Sequence, residues 1–183
     1  MTLAAISTFS TFAFADTEAA IRSVDLNGHS RVLASASTRA TVLIFILHDC
    51  PVCNRYAPEI DRIDSEYRKQ GVETYVVYEE SDLTPAQARH HAAAYRLTCG
   101  LLYDPKHELA HSVGAIAAPE AVVIGSHSRV VYRGRIDDSF RRFGMAAPAP
   151  TSHDLRAAVD DLIAGRGVAV SETPVIGCAI ARD

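Results

Sequence analysis

Tryptophan is absent from the 183 residues, methionine occurs twice and cysteine four times, and no apolar run reaches the roughly 18 residues that a membrane-crossing helix needs. Each scarcity removes a class of protein. Four cysteines are too few to serve a chain of this length as a disulfide scaffold. Two methionines and eight dispersed histidines, of which only His90 and His91 adjoin, do not make a metal-storage cluster. Cationic excess is missing as well. Eighteen Lys and Arg against 22 Asp and Glu give a formal charge of −4, so there is no broad basic face to neutralise phosphates, and nucleic acid is not an expected partner. What remains is 48% hydrophobic and 22% charged, the composition of a packed globular domain whose core needs no staples. No internal repeat or low-complexity block interrupts it, and the length suits one domain with tails.

The first charged side chain is Asp16. Before it, MTLAAISTFSTFAFA is mildly apolar and closes on Ala13-Phe14-Ala15, a small-x-small cleavage pattern, so residues 1–15 read as a secretory signal even though no Lys or Arg follows Met1. A periplasmic or otherwise exported protein is expected, with no stable membrane insertion once the signal is removed. Without a signal in 1–15, the address would be cytoplasmic. The folded domain is expected over 17–165, followed by a tail over 166–183.

Hydrophobic period places the elements. Ala19 to Val24 and Ser30 to Leu33 flank Asp25-Leu26-Asn27-Gly28, a hairpin signal. Thr41 to Leu47 is a continuous apolar, β-branched run suited to a central strand covered on both faces. Pro51 to Gln70 carries Val52, Tyr56, Ile60, Ile63 and Tyr67 at helical steps, with Pro58 inside and Gly71 as a stop. Val72 to Tyr78 is a second β-rich run, and Thr84-Pro85 caps a helix over 85–95. Leu97 to Tyr103 is a strand, and Asp104-Pro105 starts a short helix ended by Gly114. Ala121 to Ile124 and Val130 to Tyr132 are strands, Arg141 to Pro150 reads as a loop, and Thr151 to Asp154 fits a capping box for a last helix ended by Gly165. Strands alternating with helices predict α/β layers.

Cys50-Pro51-Val52-Cys53 falls where the buried strand passes into the helix. A thiolate is favoured at a helix N-terminus by unpaired amides and by the positive end of the macrodipole, and one turn brings Cys53 within bridging reach. Cys50 is expected to attack and Cys53 to resolve, through a mixed disulfide. Asn54 excludes a c-type haem site, which wants His there, and the isolation of Cys99 and Cys178 excludes a zinc ribbon. No cofactor or metal is expected. Four cysteines allow three pairings, one of which leaves a Cys99–Cys178 bridge.

With this junction the sequence resembles the thioredoxin superfamily, over roughly residues 17 to 165. Pro58 lies five residues after Cys53, as the family's kinking proline does, and Ala117-Ala118-Pro119 before an apolar strand looks like the family's cis-proline segment. The resemblance implies a central mixed β-sheet flanked by helices, with an N-terminal β-hairpin. It also implies an Ala118 backbone that pairs with an extended substrate segment beside Pro119. The helix and strand inserted between Cys53 and Pro119 point to the redoxin branch, which includes the alkyl hydroperoxide reductase and thiol-specific antioxidant proteins. The implied function is a thiol-disulfide oxidoreductase acting on protein thiols and disulfides, with a separate redox partner. Two alternatives come from the same branch. A peroxiredoxin-like peroxidase would want Thr and Pro where Leu47 and Leu43 stand, and a Sco-type copper-binding redoxin would want a His for which only His111 offers. His48, Asp49 and Glu120 are candidate proton acceptors for Cys53, and Cys178 is a candidate third redox thiol.

Overall fold

Seven consecutive residues of one strand, Ala40–Ile46, are buried without exception, and the rest of the fold is arranged around them. A computed structural model describes residues 20–33, 35, 38–142 and 145–180; the signal expected over 1–15 lies outside the described residues, as does Ala19. The strands are β1 Arg22–Asp25, β2 Ser30–Val32, β3 Ala40–Ile46, β4 Val72–Tyr78, β5 Gly100–Tyr103, β6 Ala117–Ala118, β7 Glu120–Ile124, β8 Val130–Gly134, β9 Phe140–Arg142, β10 Met145–Ala146 and β11 Cys178–Ala179. The helices are α1 Pro51–Tyr67, α2 Pro85–Ala94, α3 Glu108–Val113 and α4 Asp154–Ile163. Seven strands form one mixed sheet in the order β2-β1-β5-β4-β3-β7-β8, with β3, β4 and β5 parallel and the others antiparallel to their neighbours.

Alternation along β3 divides the core. Val42, Ile44 and Ile46 face the layer that holds Tyr56, Ile60, Ile63 and Tyr67 of α1 and Leu155 and Val159 of α4, whereas Leu43 and Phe45 face Leu109 and Val113 of α3. The α/β sandwich expected from the sequence is therefore present. The hairpin expected at Asn27-Gly28 is there too, as a three-residue loop in which Gly28 takes φ +81° and the Asp25 carboxylate accepts from the amides of Asn27 and His29. Thr84 and Gln87 form a reciprocal capping box on α2.

Three local expectations differ. Residues 141–150 do not form a simple loop: β9 and β10 pair as a short antiparallel hairpin. α4 begins at Asp154 without a Thr151 capping box, because the Asp138 carboxylate takes the amides of Thr151 and Ser152 and the Thr151 hydroxyl donates to it. α3 begins three residues after Pro105; Asp104 serves it from a distance, accepting from Leu109 N at 3.0 Å and Ala110 N at 2.9 Å. Among the described residues, no helix is long and apolar enough to cross a membrane.

Phe45 is fully enclosed between β3 and α3. Phe45→Ala is expected to lower the unfolding free energy by about 3–5 kcal/mol, read from the midpoint of urea denaturation.

Candidate functional site

β3 ends at Ile46, and four residues later Cys50 stands as the N-cap of α1 with φ −76° and ψ 115°. Its carbonyl accepts from Asn54 N at 3.0 Å, and no side chain caps the helix. β7 pairs with β3 in a register that sets Glu120 opposite Phe45. This brings the Ala118–Pro119 bond, which is cis, to the same end of the sheet as the thiols. Cys178 of β11 pairs with Ala118, and the Cys50 thiol acts on those of both Cys53 and Cys178. The five residues singled out from the sequence, Cys50, Cys53, Ala118, Pro119 and Cys178, are thus gathered at one place, although the last is 125 positions from Cys53 in the chain.

Both members of the CxxC are buried, Cys50 at 4% and Cys53 at 2% exposure, so Cys50 is not the open thiol that its place at a helix start suggests. Burial pushes the Cys53 thiol far above its ordinary value, with Cys50 adding to the effect. Cys178, half-buried, is raised by burial and by its contact with Cys50. Cys99 sits elsewhere. Burial pushes it up to about 12, with the Asp64 charge adding to the effect. Thr98, next to it, donates to Asp61 of α1, eight positions beyond Cys53, and Gly100 pairs with Tyr75 three residues before the end of β4, so Cys99 lies away from the end of the sheet that carries the CxxC. Cys99 and Cys178 are both free thiols.

The candidate proton acceptors divide. Glu120 is committed: its carboxylate accepts from the amides of Ile116 at 2.6 Å and Ala117 at 3.0 Å, and Arg133 Nε stands 3.8 Å away, so it braces the segment before Pro119. His48 Nδ1 lies 2.5 Å from Glu80, which also accepts the His48 amide. Asp49 is exposed. His48, Asp49 and Glu80 bring oxygen and nitrogen ligand atoms within 4.8 Å of one another, but Glu80 is already bonded to His48.

The sequence reading missed a buried pair. Glu79, at the carboxyl end of β4, lies 3.0 Å from His107 Nε2, and both are almost wholly enclosed. Burial raises the Glu79 carboxyl above the usual carboxylate range, opposed by His107. The signal available was the place of Tyr78-Glu79-Glu80, directly after a parallel strand, where sites of open α/β sheets collect.

A second network holds the first turn of α1. Asn54 donates Nδ2–H to the His48 carbonyl at 3.0 Å, so its Oδ1 accepts from His91 Nε2–H at 2.7 Å; His91 Nδ1 then accepts from the Tyr78 hydroxyl at 2.8 Å. The imidazole is thereby fixed as a neutral tautomer. Burial, and secondly His48, hold it below its ordinary value. The unfolded chain takes up a proton at about pH 6.5 more readily than the folded one, so stability tied to His91 is complete above that pH and is lost as pH falls through it. His91→Phe is expected to cost about 1–3 kcal/mol by leaving Tyr78 and Asn54 unpaired. It should also flatten the acid side of the stability profile, measured by denaturation at pH values between 7 and 5.

The Redoxin family profile matches residues 11–144. Thiol-disulfide oxidoreductase ResA of Halalkalibacterium halodurans is 29% identical over 108 residues, which are 58% of this chain and 60% of that protein, so the chain spans under two thirds of the curated relative it matches. A solved structure of an uncharacterized conserved protein from Geobacillus kaustophilus is 26% identical, with TM-score 0.77, over 92% of this chain and 91% of that one. A secreted Mycobacterium tuberculosis disulfide oxidoreductase, described as homologous to E. coli DsbE, shares 16% identity and TM-score 0.55 over 82% of this chain and 99% of its own, which shows a common fold. With a thioredoxin-like sheet, a CxxC at its strand-to-helix junction and a profile that takes in most of the domain, this chain belongs to the Redoxin family.

Proposed function

We propose that the protein is a thiol-disulfide oxidoreductase that works through Cys50 and Cys53. The observation that carries the reading is the meeting of two thiols one helical turn apart with the cis Ala118–Pro119 segment at the end of β3. The name of its ResA relative and the presence of a secreted disulfide oxidoreductase among its structural neighbours support it. The apolar 1–15 segment supports export.

The Cys50 thiolate attacks one sulfur of a substrate disulfide, forming a Cys50–substrate bond and releasing the other sulfur as a thiolate that takes up a proton. Cys53, once deprotonated, attacks Cys50 Sγ, forms the Cys50–Cys53 bond and releases the second substrate thiol. Two electrons pass to the substrate, and an external dithiol returns them. The same steps run backward oxidise a substrate dithiol. Cys53 is the thiol that burial keeps protonated, so Cys50 is the attacking partner and the second step needs a base. Glu79 is proposed for that part in place of His48, Asp49 and Glu120: it follows Tyr78, which pairs with Ile46 where β3 ends, so it lies buried at the same end of the sheet as the thiols, and burial holds its carboxyl above the usual range. Peroxide reduction is disfavoured because Leu47 supplies no hydroxyl. Copper capture is disfavoured because His111 is exposed on α3, whose apolar side packs on the opposite face of the sheet from α1.

Reduction of insulin disulfides driven by dithiothreitol is the test. Cys50→Ser should lower the rate at least a hundredfold, and Cys53→Ser made together with Cys178→Ser should stop turnover while leaving Cys50 in a stable mixed disulfide. Turnover retained in both variants would reduce the pair to a structural element. Glu79→Gln should slow resolution of a preformed Cys50 mixed disulfide about tenfold or more near neutral pH. It should also remove the inflection that Glu79 contributes to the pH dependence of that step, followed by stopped-flow release of a chromogenic thiol.

A further inference from the structure

The C-terminal segment crosses the site. Thr173 is locked to β8: its amide donates to the Arg133 carbonyl at 3.1 Å, and its hydroxyl donates to the Tyr132 hydroxyl at 2.8 Å while accepting from Arg135 N at 3.1 Å. Gly134 permits the contact, because a Cβ there would lie 2.1 Å from Thr173 Oγ1. Farther on, Ile180 is buried in the α3-side core and its amide donates to the Ile116 carbonyl at 2.9 Å. Between these anchors β11 pairs antiparallel with β6, Cys178 against Ala118 and Ala179 against Ala117. Gly177 passes so close that a Cβ would lie 2.2 Å from the Ala118 carbonyl oxygen and 3.1 Å from Pro119 N. Cys178 packs against the buried cluster that holds Cys50 and Cys53, and Cys50 contributes to raising its thiol.

Ala118 is the backbone that the family resemblance assigns to an extended substrate, and here the chain's own strand fills it with a cysteine set against the attacking thiol. We propose that β11 is an internal stand-in for substrate. A substrate strand enters by displacing β11, and Gly177-Cys178-Ala179-Ile180 is the template of what the edge accepts, an extended segment with glycine directly before its cysteine. This rests on the oxidoreductase reading.

Chemically, β11 behaves as a tethered substrate. When the Cys50–Cys53 disulfide is present, the Cys178 thiolate attacks Cys50 Sγ, forming Cys50–Cys178 and releasing Cys53, which takes up the proton that Cys178 gave; no electrons leave the protein. The reverse attack by Cys53 frees Cys178 and reopens the edge. In a chain without Cys53, oxidised glutathione supplies the oxidant. Cys50 displaces one glutathione thiol, and Cys178 displaces the second, which leaves a Cys50–Cys178 bond.

The test uses the full chain carrying Cys53→Ser, treated with oxidised glutathione and mapped without reduction. An intrachain Cys50–Cys178 disulfide with two glutathione thiols released per chain is expected; glutathione retained on Cys50 beside a free Cys178 overturns the proposal. Gly177→Val, whose Cβ meets the Ala118 carbonyl, should slow that bond at least tenfold and, in the otherwise native reduced protein, speed Cys50 alkylation by iodoacetamide at least fivefold. Ile180→Asp, which frees the far anchor without touching Ala118, should do the same; neither effect in either variant overturns the docking. The preformed Cys50–Cys178 protein is then challenged with the reduced peptide PVIGCAI and with the same peptide bearing valine for glycine. The glycine peptide should release Cys178 at least fivefold faster, and equal rates overturn the template. Failure of the oxidoreductase reading looks different: Cys50 in the Cys53→Ser/Cys178→Ser double variant would not take up glutathione at all.

Discussion

The register of β7 against β3 is the constraint on which the site depends. β3 is apolar on both faces and is held between a parallel and an antiparallel neighbour. The antiparallel pairing sends the start of β7 to the end of the sheet where β3 stops. A slip by one residue would turn every β7 side chain to the other face and carry Glu120 out of reach of the amides it binds. The thiols follow the end of β3 and the cis-proline segment precedes β7, and this ladder sets the one beside the other.

What the sequence made legible was local. The buried run of β3, the CxxC at its exit, Pro58, the Thr84–Gln87 box and Pro119 all announce themselves within a dozen residues, because each follows from period, capping or ring chemistry. The failures are long-range. Thr151 looks like a cap until Asp138, thirteen residues earlier, claims it. Glu79 and His107 meet only because β4 and β5 run parallel and end side by side. The last residues lack any period, and their order comes from Thr173 and Ile180 binding to partners far upstream.

The Redoxin match closes at residue 144, before α4 and the segment over 171–180. Those later residues are nevertheless part of the same site, since they complete a sheet edge begun by Ala117 and Ala118. The CxxC junction and the strand that covers it therefore belong to different portions of the chain, one inside the matched residues and one beyond them.

Arg133 gives that cover a fixed root. One guanidinium donates to the Gly114 carbonyl at 2.7 Å, faces the buried Glu120 at 3.8 Å and binds Glu172 of the tail at 2.7 Å, where Glu172 is 67% exposed. Glu172 stands directly before the Thr173 anchor, so the same guanidinium that faces the buried Glu120 also holds the root of the tail. The cation serves as a fixed counterweight: the carboxylate beneath the cis-proline segment keeps its partner whatever the residues beyond Thr173 do.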